Sequence, residues 1–165
     1  MTEREYNQCV DLFADRLYRF IVKNLKQAED AKDIVQNSFE ILWKHHEALP
    51  QEKAKSYLFT VGYRNMIDHL RKNKRVSLVE TFPEEVPVAS AQGPDSKHDL
   101  KSALMTAMQR LNDVQRSLVM LKDYEGYSYE EIGTVTGLSP SQVKVYLHRA
   151  RLKMKQYLVK MENVM

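Results

Sequence analysis

Two helix-start signals lie close together near the C-terminus, and they constrain the fold more than any other feature. Ser128 and Glu131 have the spacing of a capping box, in which each side chain bonds the other's backbone amide. Ser139 and Gln142 repeat this spacing eleven residues later. Gly137 lies between the two signals and suits the left-handed residue that ends a helix. The pattern predicts a short helix, a tight turn and a longer helix, which is the helix-turn-helix arrangement.

The second of these helices carries polar and basic residues outside its apolar side. They are Gln142, Lys144, Tyr146, Arg149 and Arg151. A helix of this kind fits the major groove of DNA, with its first turns at base edges and its flanks at phosphates. A helical hairpin without a DNA partner is the alternative. The caps and the basic flanks favour DNA binding.

Charge is unevenly distributed, although the formal net charge is only +3. Residues 53–75 contain seven Lys or Arg and one acidic residue. Residues 139–165 contain six Lys or Arg and one acidic residue. Residues 1–52, by contrast, contain seven basic and ten acidic residues. Two basic segments indicate two separate contacts with a polyanion. The alternative interpretation is two solvated helix faces.

Prolines divide the chain into two parts. Three of the five prolines lie within residues 76–97, where no helical period is sustained. We therefore expect a flexible linker there, between helical domains at residues 1–75 and 98–165. No segment has the pattern of a β-hairpin or a βαβ unit. The predicted fold is all-α, with two small helical domains joined by the linker.

In the first domain, hydrophobic periodicity predicts helices at about residues 4–25, 29–46 and 54–73. The third of these has an apolar stripe and a second side with aromatic, amide and basic groups. That second side consists of Tyr57, Val61, Arg64, Asn65, Asp68 and Arg71. Such a face is too polar to pack in a hydrophobic core, and its groups are suited to binding nucleic acid.

Both domains resemble parts of one protein family. Tyr124–Gly133 and Val143–Arg151 resemble region four of the extracytoplasmic-function sigma factors. Asp30–Phe39 and Tyr57–Arg71 are similar to their region two. Because the two motif sets occur in the family's order, the chain is identified as a member. The resemblance implies an alternative sigma factor that directs RNA polymerase core enzyme to specific promoters and assists promoter melting.

The resemblance also implies roles for the matched positions. The surface that binds the polymerase β′ clamp would be Asp33, Gln36, Asn37 and Glu40. The contacts with minus-ten DNA would be Tyr57, Arg64, Asn65, Asp68, Arg71 and Lys72. The contacts with minus-thirty-five DNA would be Ser141, Gln142, Lys144, Tyr146 and Arg149. The β flap would be a further partner of the second domain, and an anti-sigma factor is a candidate partner.

The sequence departs from the family's pattern at two of these positions. The family usually has an acidic residue where Asn37 stands, and many relatives have Arg where Tyr146 stands. The segment 47–56 matches the family's loop that pockets a flipped-out base, but its sequence indicates no base preference.

No catalytic, metal or cofactor site is predicted. The five histidines never occur at metal-ligand spacing with carboxylates or cysteine, and no nucleophile has a base beside it. Cys9 is the single cysteine, which excludes an internal disulfide. Without a signal peptide or an apolar run of about 18 residues, we expect a cytoplasmic protein without membrane insertion.

Two other functions fit parts of the pattern. A stand-alone helix-turn-helix regulator would explain the C-terminal motif, and a helical adaptor would explain the helices without nucleic acid. The two basic segments favour the sigma factor, because a repressor needs only one basic segment to bind DNA.

Overall fold

The computed structural model describes the backbone of residues 1–80 and 96–164 and the side chains of residues 1–74 and 100–162. Within these ranges the chain is helical and has no strand. The helices are α1 (Glu3–Leu25), α2 (Ala28–His45), α3 (Ala54–Glu80), α4 (Ser96–Gln109), α5 (Asp113–Val119), α6 (Tyr129–Thr136) and α7 (Pro140–Val164). Short 3₁₀ turns at His46–Ala48 and Gln51–Lys53 connect α2 to α3, and a π-helical turn at Met120–Tyr124 extends α5. The expected all-α fold is confirmed.

The first three helices pack around one core. Leu17 of α1, Leu42 of α2 and Phe59 of α3 are fully buried there. Gly62 allows α1 and α3 to approach closely, because a Cβ at this position would lie 3.0 Å from Leu17 Cδ1. This packing turns the polar sides of α2 and α3 away from the core.

In the C-terminal helices, side-chain caps fix the helix starts. Capping boxes begin α5 at Asn112 and α6 at Ser128, the second as predicted. Arg116 lies in the first turn of α5 with only 4% of its surface exposed, and its side chain reaches the turn between α4 and α5. Its guanidinium donates hydrogen bonds to the carbonyl oxygens of Met108 (3.1 Å) and Leu111 (2.7 Å). Arg116 therefore satisfies carbonyl groups that the end of α4 leaves without helical partners.

Two helices extend into the segment 76–97. Helix α3 continues to Glu80, and α4 begins at Ser96. Residues 76–80 contain no proline or glycine, so nothing local ends the helix before Pro83. The rest of the expected linker, residues 81–95, lies outside the described residues.

The two halves of the molecule also touch each other. Helix α6 packs on α3, and α5 packs beside α1. The aromatic rings of Phe59 and Tyr127 meet edge to face across this boundary, with centroids 5.8 Å apart.

Candidate polymerase and promoter interfaces

Helix α2 presents an acidic surface to solvent. Asp33, Gln36, Asn37 and Glu40 are all exposed on its outer side, and we call this set the α2 acidic face. Gln36 Nε2 lies 3.5 Å from Glu40 Oε1, while the opposite side of the helix is buried. The structure thus brings together the four residues that the sequence assigned to polymerase binding. Two exposed carboxylates make this surface suitable for a basic partner.

Next to the α2 acidic face, an open cleft of about 320 Å³ separates α2 from α3. Asp33 and Asn37 line it from α2, and Asn65 lines it from α3. At one end, His69 Nε2 lies 3.2 Å from Asp30 Oδ2. Asn65 Nδ2 is buried and has no hydrogen-bond partner among the described residues. A predicted promoter contact therefore lies beside predicted polymerase contacts.

The outer side of α3 carries the residues predicted to contact minus-ten DNA. Arg64, Asp68, Arg71 and Lys72 are exposed, and Tyr57 and Asn65 are half-buried. The steps from Tyr57 through Arg64 and Asp68 to Lys72 follow the helical repeat, so these side chains share one face. Cationic groups for phosphates and an aromatic ring near the start of the helix are the groups that a nucleic acid strand requires.

An aromatic cluster supports the segment between α2 and α3. The Trp43 and His46 rings stack with centroids 4.0 Å apart, and the Tyr6 ring meets Trp43 edge-on at 4.9 Å. Gln51 Nε2 donates a 2.9 Å hydrogen bond to Gln8 Oε1. The start of α1 thereby braces the segment that the family resemblance assigns to base capture.

Helix α7 begins with the predicted capping box. Ser139 N donates to Gln142 Oε1 at 2.9 Å, and Gln142 N donates to Ser139 Oγ at 3.1 Å. Lys144 and Arg149 are exposed, as is Ser141. Tyr146 is half-buried and packs against the core. The cap occupies Gln142 Oε1, so the Nε2 amide is the part of this side chain left to contact a base.

Two glycines set the angle between α6 and α7. A Cβ at Gly133 would lie 2.7 Å from the Leu138 carbonyl oxygen, which is closer than real Cβ contacts. Gly137 has a φ of +80°, in the left-handed region that favours glycine. These positions bring the turn against α6 and complete the helix-turn-helix.

Two protein-family models match the two helical domains of the chain. The model of sigma-70 region 2 matches residues 9–76, and the model of sigma-70 region 4 matches residues 101–154. The chain belongs to the sigma factors of RNA polymerase. Relatives place it in the extracytoplasmic-function (ECF) group, as the sequence predicted, and a stand-alone regulator is not favoured.

This sigma factor is 29% identical to the ECF RNA polymerase sigma factor SigE of Mycolicibacterium smegmatis. That match covers 94% of this chain and 62% of SigE, so the chain spans less than two thirds of that relative. The chain is also 29% identical to the RNA polymerase sigma factor CarQ of Myxococcus xanthus, over 92% of this chain and 90% of CarQ.

A solved structure supports the fold. The sigma factor RpoE of Bartonella quintana, in complex with the anti-sigma factor NepR, superposes with a TM-score of 0.73. The match covers 94% of this chain and 97% of RpoE at 22% identity. In the sigma factor described here, no described helix is long and apolar enough to cross a membrane.

Sequence reasoning missed several residues that shape these surfaces. Asp30 was recognised within a motif, but its contact with His69 joins positions 39 residues apart. Hydrophobic periodicity places Tyr6 in the first helix but gives no sign that its ring contacts Trp43. The burial of Arg116 could not be predicted from the sequence, because arginine usually lies on the surface. Only the folded chain shows that α4 ends against it.

Proposed function

We propose that this sigma factor binds the polymerase core enzyme through the α2 acidic face and directs it to promoters through α3 and α7. Residues 1–75 would form the domain for the clamp and minus-ten DNA, and residues 98–165 the domain for minus-thirty-five DNA. The observation that carries the proposal is that three chemically different surfaces are exposed on matched sigma regions: an acidic one on α2, a basic and aromatic one on α3, and a helix-turn-helix.

The α2 acidic face suits the β′ clamp if the clamp surface is basic. Asp33 and Glu40 are seven residues apart, about 10 Å along the helix. Exposed charges of this kind contribute little to folding stability, so both carboxylates are available to a partner. Asn37 contributes an amide where the family usually has an acid, which leaves this surface with one charge fewer.

On the promoter side, α3 would hold the minus-ten strand. Arg64, Arg71 and Lys72 are suited to phosphates, and a base edge that enters the cleft would supply the hydrogen-bond partner that the buried Asn65 amide lacks. Melting requires capture of an unstacked base, which costs a few kcal/mol and is offset by stacking and hydrogen bonds.

The polymerase performs the chemistry, so we infer that the sigma factor has no catalytic activity of its own and acts in the cytoplasm.

In the second domain, α7 would read the minus-thirty-five element. Lys144 would contact a base edge, while Ser141 and Arg149 would contact phosphates. Half-buried Tyr146 offers apolar contact where many relatives have arginine. We further infer that the β flap binds this domain. The sigma factor RpoE of Bartonella quintana was solved in complex with the anti-sigma factor NepR, which supports an anti-sigma factor as a partner here too.

The test is co-elution with the core enzyme. Asp33→Lys with Glu40→Lys should abolish co-elution and promoter-directed transcription, because like charges would then face a basic partner. Helical content and melting temperature should stay normal. The matched control is Asp11→Lys with Asp15→Lys, which makes the same charge change on exposed positions of α1 and should co-elute normally.

Two results would contradict the proposal. If the folded Asp33/Glu40 variant co-elutes as well as wild type, the α2 acidic face has no role in polymerase binding. If wild type itself does not co-elute, while it binds an operator tightly without polymerase, the chain acts as a stand-alone regulator.

A further inference from the structure

Residues 46–53, which we call the connecting segment, join α2 to α3 through two short 3₁₀ turns. In the first turn, Leu49 N donates a 3.3 Å hydrogen bond to the His46 carbonyl oxygen. In the second turn, Lys53 N donates a 3.0 Å hydrogen bond to the Pro50 carbonyl oxygen. Turns of this kind have poor hydrogen-bond geometry and are seldom stable alone. The connecting segment therefore depends on contacts with the rest of the domain to keep one shape.

Tyr6 of α1 supports the first turn through a series of aromatic rings. Its hydroxyl donates a 2.9 Å hydrogen bond to the Phe39 carbonyl oxygen, which fixes the ring against α2. The Tyr6 ring meets Trp43 edge to face, with centroids 4.9 Å apart. Trp43 in turn stacks on His46 at an interplanar angle of 11°. Such ring pairs are favourable beyond the area that they bury, so the position of Tyr6 restricts that of His46.

Gln8 of α1 holds the second turn. Gln51 Nε2 donates a 2.9 Å hydrogen bond to Gln8 Oε1, between residues 43 positions apart. Ala54, the first residue of α3, is fully buried and fixes the far end of the connecting segment. Helix α1 thus contacts both turns, through two residues that lie close together in its sequence.

The other side of the connecting segment is open to solvent. Its exposed residues are Glu47, Ala48, Pro50, Glu52 and Lys53. The segment therefore has one side held by α1 and another side available to a ligand. Fixing the backbone of a single residue on binding weakens the binding constant by about tenfold. A segment that is already held in shape avoids this loss when it binds a base.

We propose that Tyr6 and Gln8 are positioning residues for promoter melting, which hold the connecting segment in the shape that receives a flipped-out base. The inference rests on the proposed function, in which this segment captures an unstacked base. Contacts that only stabilise the fold would affect binding to every DNA template alike. Positioning contacts affect only templates with a base to capture, since a preformed shape gains nothing when the base is missing.

The first experiment measures amide hydrogen exchange in the free, full-length chain. The amides of Leu49 and Lys53 report opening of the two turns, because each one donates to a carbonyl oxygen within the segment. Tyr6→Leu should speed exchange at Leu49 by about tenfold, because it removes the ring contacts and the hydroxyl. Gln8→Met should speed exchange at Lys53 by about threefold, because it removes one exposed hydrogen bond. Exchange within α2 and α3 should stay unchanged.

Two variants on the same helix serve as matched controls. Tyr18→Leu makes the same change at another half-buried tyrosine of α1, and Asn7→Met removes an exposed amide next to Gln8. Gln8→Glu keeps an acceptor for Gln51 Nε2, so its exchange should match wild type. Melting temperatures of Tyr6→Leu and Tyr18→Leu separate general destabilisation from loosening of the connecting segment.

The second experiment uses the holoenzyme assembled from core polymerase and the full-length chain. Promoter templates with a premelted minus-ten element carry one abasic site, placed at each non-template position in turn. The captured base is the one whose removal weakens wild-type binding most. On the intact template, Tyr6→Leu should bind about tenfold and Gln8→Met about threefold more weakly than wild type. On the template that lacks the captured base, both should bind as wild type does, and the controls should match wild type on both templates.

Equal losses on the intact and abasic templates would show a merely structural role and would overturn the proposal. Wild-type affinity of Tyr6→Leu and Gln8→Met on the intact template, or unchanged exchange at both amides, would overturn it as well. If no abasic site weakens wild-type binding, the segment captures no base, which contradicts the proposed function and the positioning role together. The two failures are distinguishable, because only the first leaves a captured position in wild type.

Discussion

The two domains stabilise their helices by different means. In region 2, α2 begins at Gln27 without a side-chain cap, and its position depends on a core in which Leu17 and Leu42 are fully buried. In region 4, α5 and α6 have seven and eight residues, and each begins with a capping box. Isolated helices this short are unstable in water. The comparison shows that long-range packing positions α2, while local hydrogen bonds define the starts of α5 and α6, as they also do at the capping box of α1.

The largest effect should come from the core of region 2. Leu17→Ala removes a fully buried side chain between α1 and Gly62 of α3. We expect it to lower the free energy of unfolding by about 3–5 kcal/mol. Leu12→Ala, at a position that is 59% exposed, should change it by less than about 0.5 kcal/mol. Urea unfolding of both variants measures the difference, and similar losses would show that packing does not dominate region 2.

Region 4 should be most sensitive to a polar residue. Arg116→Met leaves the carbonyl oxygens of Met108 and Leu111 without their donor and removes one of two ion-pair partners of Asp113, the other being Lys74. The expected loss is about 3 kcal/mol, since the groups left behind are shielded from water. Arg110→Met is the control at an exposed position in the turn before α5, where the change loses a contact with the Tyr157 ring. Equal melting temperatures of the two variants would remove the distinction between the domains.

Removing a base contact should change function without changing stability. Lys144→Ala should reduce transcription from a promoter that depends on the minus-thirty-five element by a factor equivalent to about 1–3 kcal/mol. Because Lys144 is exposed, circular dichroism and the melting temperature should match wild type. Lys155→Ala, also exposed but far along α7, should transcribe normally. Unchanged transcription by the first variant would exclude Lys144 from promoter reading.

Caps should have a smaller effect, and an unequal one at the starts of α6 and α2. Ser128→Ala removes the acceptor of the 3.1 Å hydrogen bond from Glu131 N and should cost about 1 kcal/mol. Gln27→Ala, at the uncapped start of α2, should cost almost nothing. Thermal unfolding followed by circular dichroism compares them. A loss at Gln27 as large as that at Ser128 would contradict the contrast between local and long-range stabilisation.

The smallest effect is a dependence on pH. Hydrogen bonds from the Ser128 backbone and side chain lower the pKa of Glu131 below its usual value. A carboxyl group with a lower pKa in the folded state stabilises the protein above its unfolded pKa, near 4.3, and that contribution is lost as the pH falls through the folded value. Glu131→Gln should make the free energy of unfolding slightly less dependent on pH in this acidic range. An unchanged profile would show that the capping carboxylate does not contribute.

Local signals in the sequence predicted much of the fold and of the candidate site. The α6 cap at Ser128, the left-handed Gly137 and the cap at Ser139 all occur as expected, because their partners lie within four residues. The helical repeat also placed Asp33 and Glu40 on one exposed side of α2. The end of α3 was harder to predict, since residues 74–80 contain no proline or glycine and so give no local stop signal.

Tertiary structure alone decided how these parts meet. The contact between Arg16 and Glu125 joins residues 109 positions apart, and the cleft beside Asn65 forms only where α2 packs on α3. By itself, the sequence determined two helical domains, their caps and their polar faces, since these depend on spacings of three or four residues. It did not determine which face of one domain covers the other. That choice follows from shape and charge over surfaces assembled from distant segments.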